Sequence, residues 1–180
     1  MSYHLMLDLE TWGKRPGCAI RSVGAVSFNP HGAERGTGFY ANISRESCEA
    51  LGLHVDPSTE KWWSEQSPEA RSRLEQNQRP LQEVVEELHE KFYSSGIEQV
   101  WSQGAGFDVP IWEEASRVLG AIVPWKFWNV RDTRTIYWAA DLDTRTVPRL
   151  GTHHDALEDA RYQVACVQAA MQKMRGSTSR

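Results

Sequence analysis

Two acidic side chains stand two residues apart in an apolar stretch near the start of the chain, "LDLETWG", which holds Asp8 and Glu10. Leucines alternate with the acids, as on a β-strand, and residues two apart on a strand share a face. Carboxylates held that close repel one another, so this face calls for a compensating charge. A third acid, Asp108, lies in "GAGFDVP", where a glycine-rich turn after a strand hands over to a helix. A fourth, Asp159, lies in "HHDALEDARYQ", near the apolar stripe of a late helix, where a lone carboxylate is costly to bury. His154, five residues before Asp159, cannot share its face in a regular helix and belongs in the loop just ahead. Singly, each residue has an ordinary explanation. The strand acids could be a solvated face, Asp108 a helix cap, His154 a surface residue, and Asp159 the partner of Arg161. Converging at one end of a sheet, four carboxylates need neutralising, and hard divalent cations take oxygen ligands. Two such ions about 3.5–4 Å apart can clamp the attacking and leaving oxygens of a phosphodiester. A histidine, with an unperturbed pKa near 6.5, suits the general base that takes a proton from the attacking water.

The elements that must position these groups follow from pattern. Residues 3 to 10, 18 to 28 and 36 to 43 read as strands, with "NPHG" turning between the second and third. Helix starts are marked by Pro57 after Asp56 and by Pro68 after Ser67. Leu81, Val84, Val85 and Leu88 form a helical stripe. "EQVWSQG" reads as a fourth strand, "FDVPIWEEASRVLG" as a helix ended by Gly120, "WKFWNVRD" as a short fifth strand, and "TRTIYWAAD" as a helix. The last long helix runs from about Asp155 to Lys173, burying Leu157, Ala160, Val164 and Val167. Strands first, then strands alternating with helices, predict an α/β domain with a mixed sheet flanked by helices. Residues 1–174 form one domain, and 175–180 read as a disordered tail.

At 180 residues, 40% hydrophobic and 24% charged, the chain can bury a core of its own. Cys18, Cys48 and Cys166 form no CxxC pair, which excludes a zinc knuckle or disulfide framework and fits a cytoplasmic protein. No signal peptide or membrane-spanning run is visible. The net charge of −4 argues against a polybasic nucleic-acid coat, but two divalent cations among the acids would cancel it.

The motifs resemble the DEDDh 3'-5' exonucleases, the DnaQ-like branch of the ribonuclease H-like superfamily. "DLET" matches the family's first motif, "GAGFD" the second and "HDALED" the third, in order across residues 8 to 159. "KWWSEQSPEAR" and "WSQGAGFD" with "VRDTRT" resemble a smaller group, that of phage exodeoxyribonuclease A and the mycobacterial exoribonucleases. The resemblance implies a ribonuclease H-like sheet of three antiparallel strands followed by two parallel ones. It makes Asp8, Glu10, Asp108 and Asp159 ligands of two Mg2+ or Mn2+ ions and His154 the general base. It places Thr11, Trp12 and Phe107 beside the terminal nucleotide. Many relatives carry asparagine four residues before the second-motif aspartate; here Gly104 stands there, with Gln103 before it, so a substrate contact differs. His153 breaks the third-motif spacing, which His154 keeps.

Such an enzyme must hold a single strand, by aromatic stacking and cationic phosphate contacts. Trp12, Trp62 and Trp63 are candidates for stacking, and the sequence leaves open which of the adjacent pair faces substrate. Arg131 and Arg134, within a cluster that also includes Lys126, Arg145 and Arg149, are candidates for phosphate. The expected substrate is single-stranded DNA or RNA, or short oligonucleotides, cut to nucleoside 5'-monophosphates. Eight tryptophans would also suit a homodimer interface. A catalytically inactive nucleic-acid-binding module and a polymerase-associated subunit are the alternatives; the intact acids and histidine argue against the first.

Overall fold

The computed structural model describes residues 4–33, 35–93, 96–97, 99–150 and 154–177. Strands β1 (His4–Thr11), β2 (Ile20–Phe28) and β3 (Arg35–Asn42) are joined antiparallel. Strands β4 (Gln99–Ser102) and β5 (Val130–Asp132) add in parallel on the far side of β1, giving the order β3-β2-β1-β4-β5. This is the mixed ribonuclease H-like sheet that the sequence predicts. Helices α1 (Arg45–Ala50), α2 (Pro57–Ser64), α3 (Pro68–Glu75) and α4 (Leu81–Tyr93) fill the connection between β3 and β4. Helix α5 (Asp108–Val118) follows β4, α6 (Thr133–Ala139) follows β5, and α7 (Ala156–Ser177) closes the fold. Among the described residues, no helix is long and apolar enough to cross a membrane.

The alternation of β1 decides where the acids go. Leu5, Leu7 and Leu9 point into a core shared with Val84, Leu88 and Trp112. Met6 points the other way, into a second core with Tyr137, Ala160 and Val164 of α6 and α7. Asp8 and Glu10 continue the Met6 face, so they rise beneath α7. The stripes expected of α4 and α7 pack largely as their spacing requires, with Leu81, Val84, Val85, Leu88, Ala160, Val164 and Val167 fully buried, while Leu157, in the first turn of α7, is only partly buried against the second core.

Several elements depart from expectation. Helix α1, capped by Ser44 accepting from the Ser47 amide, was not anticipated. The fifth strand shrinks to three residues, because Phe127–Asn129 coil into a 3-10 turn that leaves Phe127 and Trp128 in solvent. The last helix carries on through Ser177, past the expected tail boundary, while 178–180 lie outside the described residues.

One glycine sets the height of α7. Gly24 pairs with Asp8 across β1 and β2, and a Cβ there would run into the backbone of Ala156 and Leu157 at the start of α7. Gly24→Ala must therefore lift the helix that carries Asp159. Overpacking of this kind costs about 1–3 kcal/mol. The denaturation midpoint of Gly24→Ala is expected to fall accordingly; an unchanged midpoint would contradict this packing.

Candidate active site

Asp8, Glu10, Asp108 and Asp159 line one cleft of about 220 Å³, together with Leu9, Gln103, Phe107, Arg149, Tyr162 and Gln163. Carboxylate oxygens of Asp8, Glu10 and Asp159 come within 4.8 Å of one another. Asp108 faces the same cleft but stands outside that tight group, with its Oδ1 accepting from the Leu9 amide at 3.1 Å. That bond ties the start of α5 to the back of β1, so Asp108 is held by the strand that carries the other two acids.

The electrostatics are those of a site short of positive charge. Burial, then Asp108 and Glu10, push the Asp8 carboxyl well above its usual range. Glu10 is pushed up to about 8, first by burial and then by Asp108, with Arg21 pulling against them. Burial pushes Asp108 up to about 7 against the Leu9 amide and Arg134. Carboxyls raised together in one cleft are a mark of functional sites. All-oxygen donors at this spacing fit hard divalent cations. The buried Oε1 of Gln163, which no protein donor reaches, leaves further room for a polar occupant.

Three residues of the cleft were not among the expected site residues. Gln163 Nε2 donates to Asp8 Oδ1 at 2.6 Å and fixes that carboxylate. It lies one helical turn after Asp159, a spacing of four that puts both on one face of α7. Arg149, assigned beforehand only to a general cationic cluster, pairs its guanidinium with Asp159. Its Cζ lies 4.7 Å from the centre of the Tyr162 ring. Tyr162 is itself anchored by donating to the Thr144 carbonyl at 2.6 Å.

His154 stands in the turn just ahead of α7, as expected, with a φ of +61°. Its ring meets Trp62 at 5.4 Å and Trp63 at 6.2 Å, both edge to face. The turn is clamped from behind. Asp155 is 1% exposed, caps α7 by accepting from the Leu157 and Glu158 amides at 3.0 Å each, and pairs with Arg73 of α3. His153 lies outside the described residues.

A second cavity of about 410 Å³ adjoins the first, with Leu9, Glu10 and Phe107 common to both and Thr11, Lys14, Trp62 and Trp63 among its other walls. The tryptophans need correcting here. Trp63 is only 2% exposed, its Nε1 donating to the Thr11 carbonyl at 2.9 Å, so it is a rigid wall rather than an open stacking surface. Trp62, 41% exposed, presents the free face. Trp12 is absent from both cavities, because Arg21 lies 4.4 Å from its ring centre and 4.5 Å from that of Trp63. The two indoles sandwich a buried arginine, which gives Trp12 a structural use. Thr11 lines the second cavity, but its hydroxyl is spent on the Gly13 carbonyl at 2.6 Å. Gln103 lines the acid cleft and Phe107 lines both cavities. Arg134 lies across Gly104, and Arg131 sits on the β5 edge, outside both cavities.

A family model described as the Rv2179c-like 3'-5' exoribonuclease domain matches residues 3–171, almost the whole chain. The chain belongs to that family. It is a 3'-5' exonuclease, as the three motifs implied. The exodeoxyribonuclease of Enterobacteria phage T4 is 23% identical over 211 residues, which span 97% of this chain and 91% of its own length. Among solved structures, the nuclease domain of 3'hExo, a DEDDh family member bound to rAMP, superposes with a TM-score of 0.58 at 12% identity. That match covers 95% of this chain and 92% of the other. E. coli exonuclease I in complex with a 5cy-dA13 oligonucleotide gives 0.57 at 13% identity, over 96% of this chain but 41% of that one. These structural likenesses establish the shared DEDDh fold.

Proposed function

We propose that this exonuclease removes nucleotides from the 3' end of single-stranded nucleic acid or short oligonucleotides and releases nucleoside 5'-monophosphates. Asp8, Glu10, Asp108 and Asp159 would hold two divalent cations, Mg2+ or Mn2+, and His154 would be the general base. The observation that carries the reading is the convergence of Asp8, Glu10 and Asp159 within 4.8 Å on the buried face of β1. Bound there, the ions would supply charge neutralisation at the scissile phosphate and a more acidic attacking water.

The chain's own residues divide the remaining work. The second cavity takes the terminal nucleoside, with Trp62 against its base and Phe107 at the junction of the two spaces. That placement leaves the terminal phosphodiester over the acids. Gln163 keeps Asp8 from turning, and His154 accepts the proton of the attacking water. The family description favours ribose, whereas the phage relative is named for DNA; both sugars are therefore substrates to test. We place the enzyme in the cytoplasm, where its three buried free thiols stay reduced.

Arg149 stands where positive charge is missing, so it must leave Asp159 when cations enter. In Arg149→Met, Mn2+ binds about 5-fold more tightly, the equivalent of about 1 kcal/mol for one lost competing ion pair. In chelator the same variant melts lower. Calorimetric Mn2+ titration checks this, and weaker binding would show instead that Arg149 supports the ion site. The function itself is tested with 5'-labelled RNA and DNA strands of one sequence. Stepwise shortening that chelator stops is the expected result; binding of both strands without cleavage under either metal would overturn the reading.

A further inference from the structure

Two of the most exposed aromatic side chains in the described structure are neighbours just ahead of β5. Phe127 is 82% exposed and Trp128 58%, and their rings meet edge to face with centres 4.7 Å apart. Lys126 Nζ lies 5.3 Å from the centre of the Trp128 ring. Arg131 donates through Nη1 to the Trp128 carbonyl at 2.8 Å and to the Val130 carbonyl at 3.0 Å, which pins the turn carrying the pair. Because β5 is the outermost strand, the sheet offers nothing to cover these rings.

This platform is continuous with the acid cleft. Strand β5 pairs in parallel with β4, Ser102 opposite Asp132, so its C-terminal end lies beside the loop leading to Phe107 and Asp108. Asp132 Oδ2 accepts from the Ala105 amide in that loop at 2.9 Å. Gly104, with a φ of +99°, leaves a notch filled by Arg134, whose Nη1 comes within 2.5 Å of where a Cβ would stand. From Asp132 back to Trp128 the chain runs through the three residues of β5 and the end of the 3-10 turn, about 10 Å in all, the reach of one or two nucleotides. Between Lys126 and Thr135 there are three cations, and the one acid, Asp132, is spent on capping α6 and holding Ala105. Flat aromatic faces interleaved with cations suit stacked bases and a phosphate backbone. A second protein chain would more usually bury such rings against apolar partners, with the cations left at the rim.

We infer that the β5 edge, from Arg134 through Arg131 to the Lys126–Phe127–Trp128 platform, binds the upstream nucleotides of a single strand whose 3' end occupies the acid cleft. This rests on the exonuclease reading and names a further binding surface for it. The edge makes the enzyme length-selective, holding oligomers long enough to span it more tightly than dinucleotides.

The test is steady-state hydrolysis of a dinucleotide and a single-stranded octanucleotide by the wild type, by a Phe127→Ser/Trp128→Ser double variant, and by Lys126→Glu. For the wild type, KM is lower for the octanucleotide. Both variants raise the octanucleotide KM about 10-fold, the scale of one lost stacking contact, while kcat and the dinucleotide KM stay within 2-fold. An octanucleotide KM unchanged in both variants overturns the inference. So does an unchanged KM accompanied by conversion from dimer to monomer in light scattering, which would make the edge an interface between copies. If the wild type hydrolyses neither substrate, the exonuclease reading fails first, and this inference with it.

Discussion

Asp8→Asn is expected to abolish strand shortening while making the metal-free protein more stable. The two effects share one cause. Asp8 sits half-buried opposite Gly24 under the start of α7, with burial, then Asp108 and Glu10, raising its pKa. Asparagine retains an oxygen to accept from Gln163 at the place where Asp8 does so at 2.6 Å, so the packing survives and only the charge is lost. Without that charge the cleft loses a ligand oxygen of full basicity, and activity falls by about 10³-fold or more. In chelator the same change relieves repulsion among buried carboxylates, and the melting temperature rises by about 2–4 °C for each kcal/mol relieved.

The pH dependence follows the same charges. Glu10 titrates at about 8 and Asp108 at about 7 in the folded protein, against ordinary values of 4.5 and 3.8. These two groups bind more protons in the folded state than in the unfolded one between about pH 4 and 8, whereas His4 and His89, which burial lowers from 6.5 to about 4, do the reverse below pH 6.5. Above pH 6.5 the acids alone remain, so metal-free stability is expected to fall as pH rises from 6.5 to 8. Asp8→Asn is expected to flatten this slope. Melting curves in chelator at pH 6.5 and pH 8 check both statements; a wild type more stable at pH 8 would contradict them.

His154→Asn is expected to lower kcat by about 10²–10⁴-fold, the usual worth of a general base, and to leave Mn2+ affinity unchanged. Asparagine is chosen because the backbone at 154 has a φ of +61°, in the left-handed region that asparagine tolerates better than alanine. The turn and the Asp155 cap behind it are thereby kept, and the imidazole alone is removed. In the structure that imidazole rests edge-on against Trp62 and Trp63, next to the cavity assigned to the terminal nucleoside. Equal losses in kcat and Mn2+ affinity would instead make His154 a part of the ion site.

The acids were legible because their signals are local. A period of two on β1 put Asp8 and Glu10 on one face, and the Asp56–Pro57 pair marked a helix start that the structure confirms, with Asp56 accepting from the Ser58 amide at 2.8 Å. The supporting contacts were not legible, because they join distant segments. Gln163 reaches Asp8 across 155 residues of chain, and nothing in "ARYQV" names its partner, although its spacing from Asp159 placed it on the right face. Trp12 and Trp63 could not be told from substrate contacts until Arg21 was seen between them. Gly24 carries no motif; its meaning comes from the helix that lies on it.

The central claim is that four carboxylates form a two-ion site, and the most direct measurement is electron paramagnetic resonance of the wild-type protein titrated with Mn2+ in the presence of a nucleoside 5'-monophosphate. Two Mn2+ per chain with an exchange-coupled spectrum, as ions about 3.5–4 Å apart give, is the predicted result, with coupling lost in Asp8→Asn. A single ion, or two without coupling, would contradict the account.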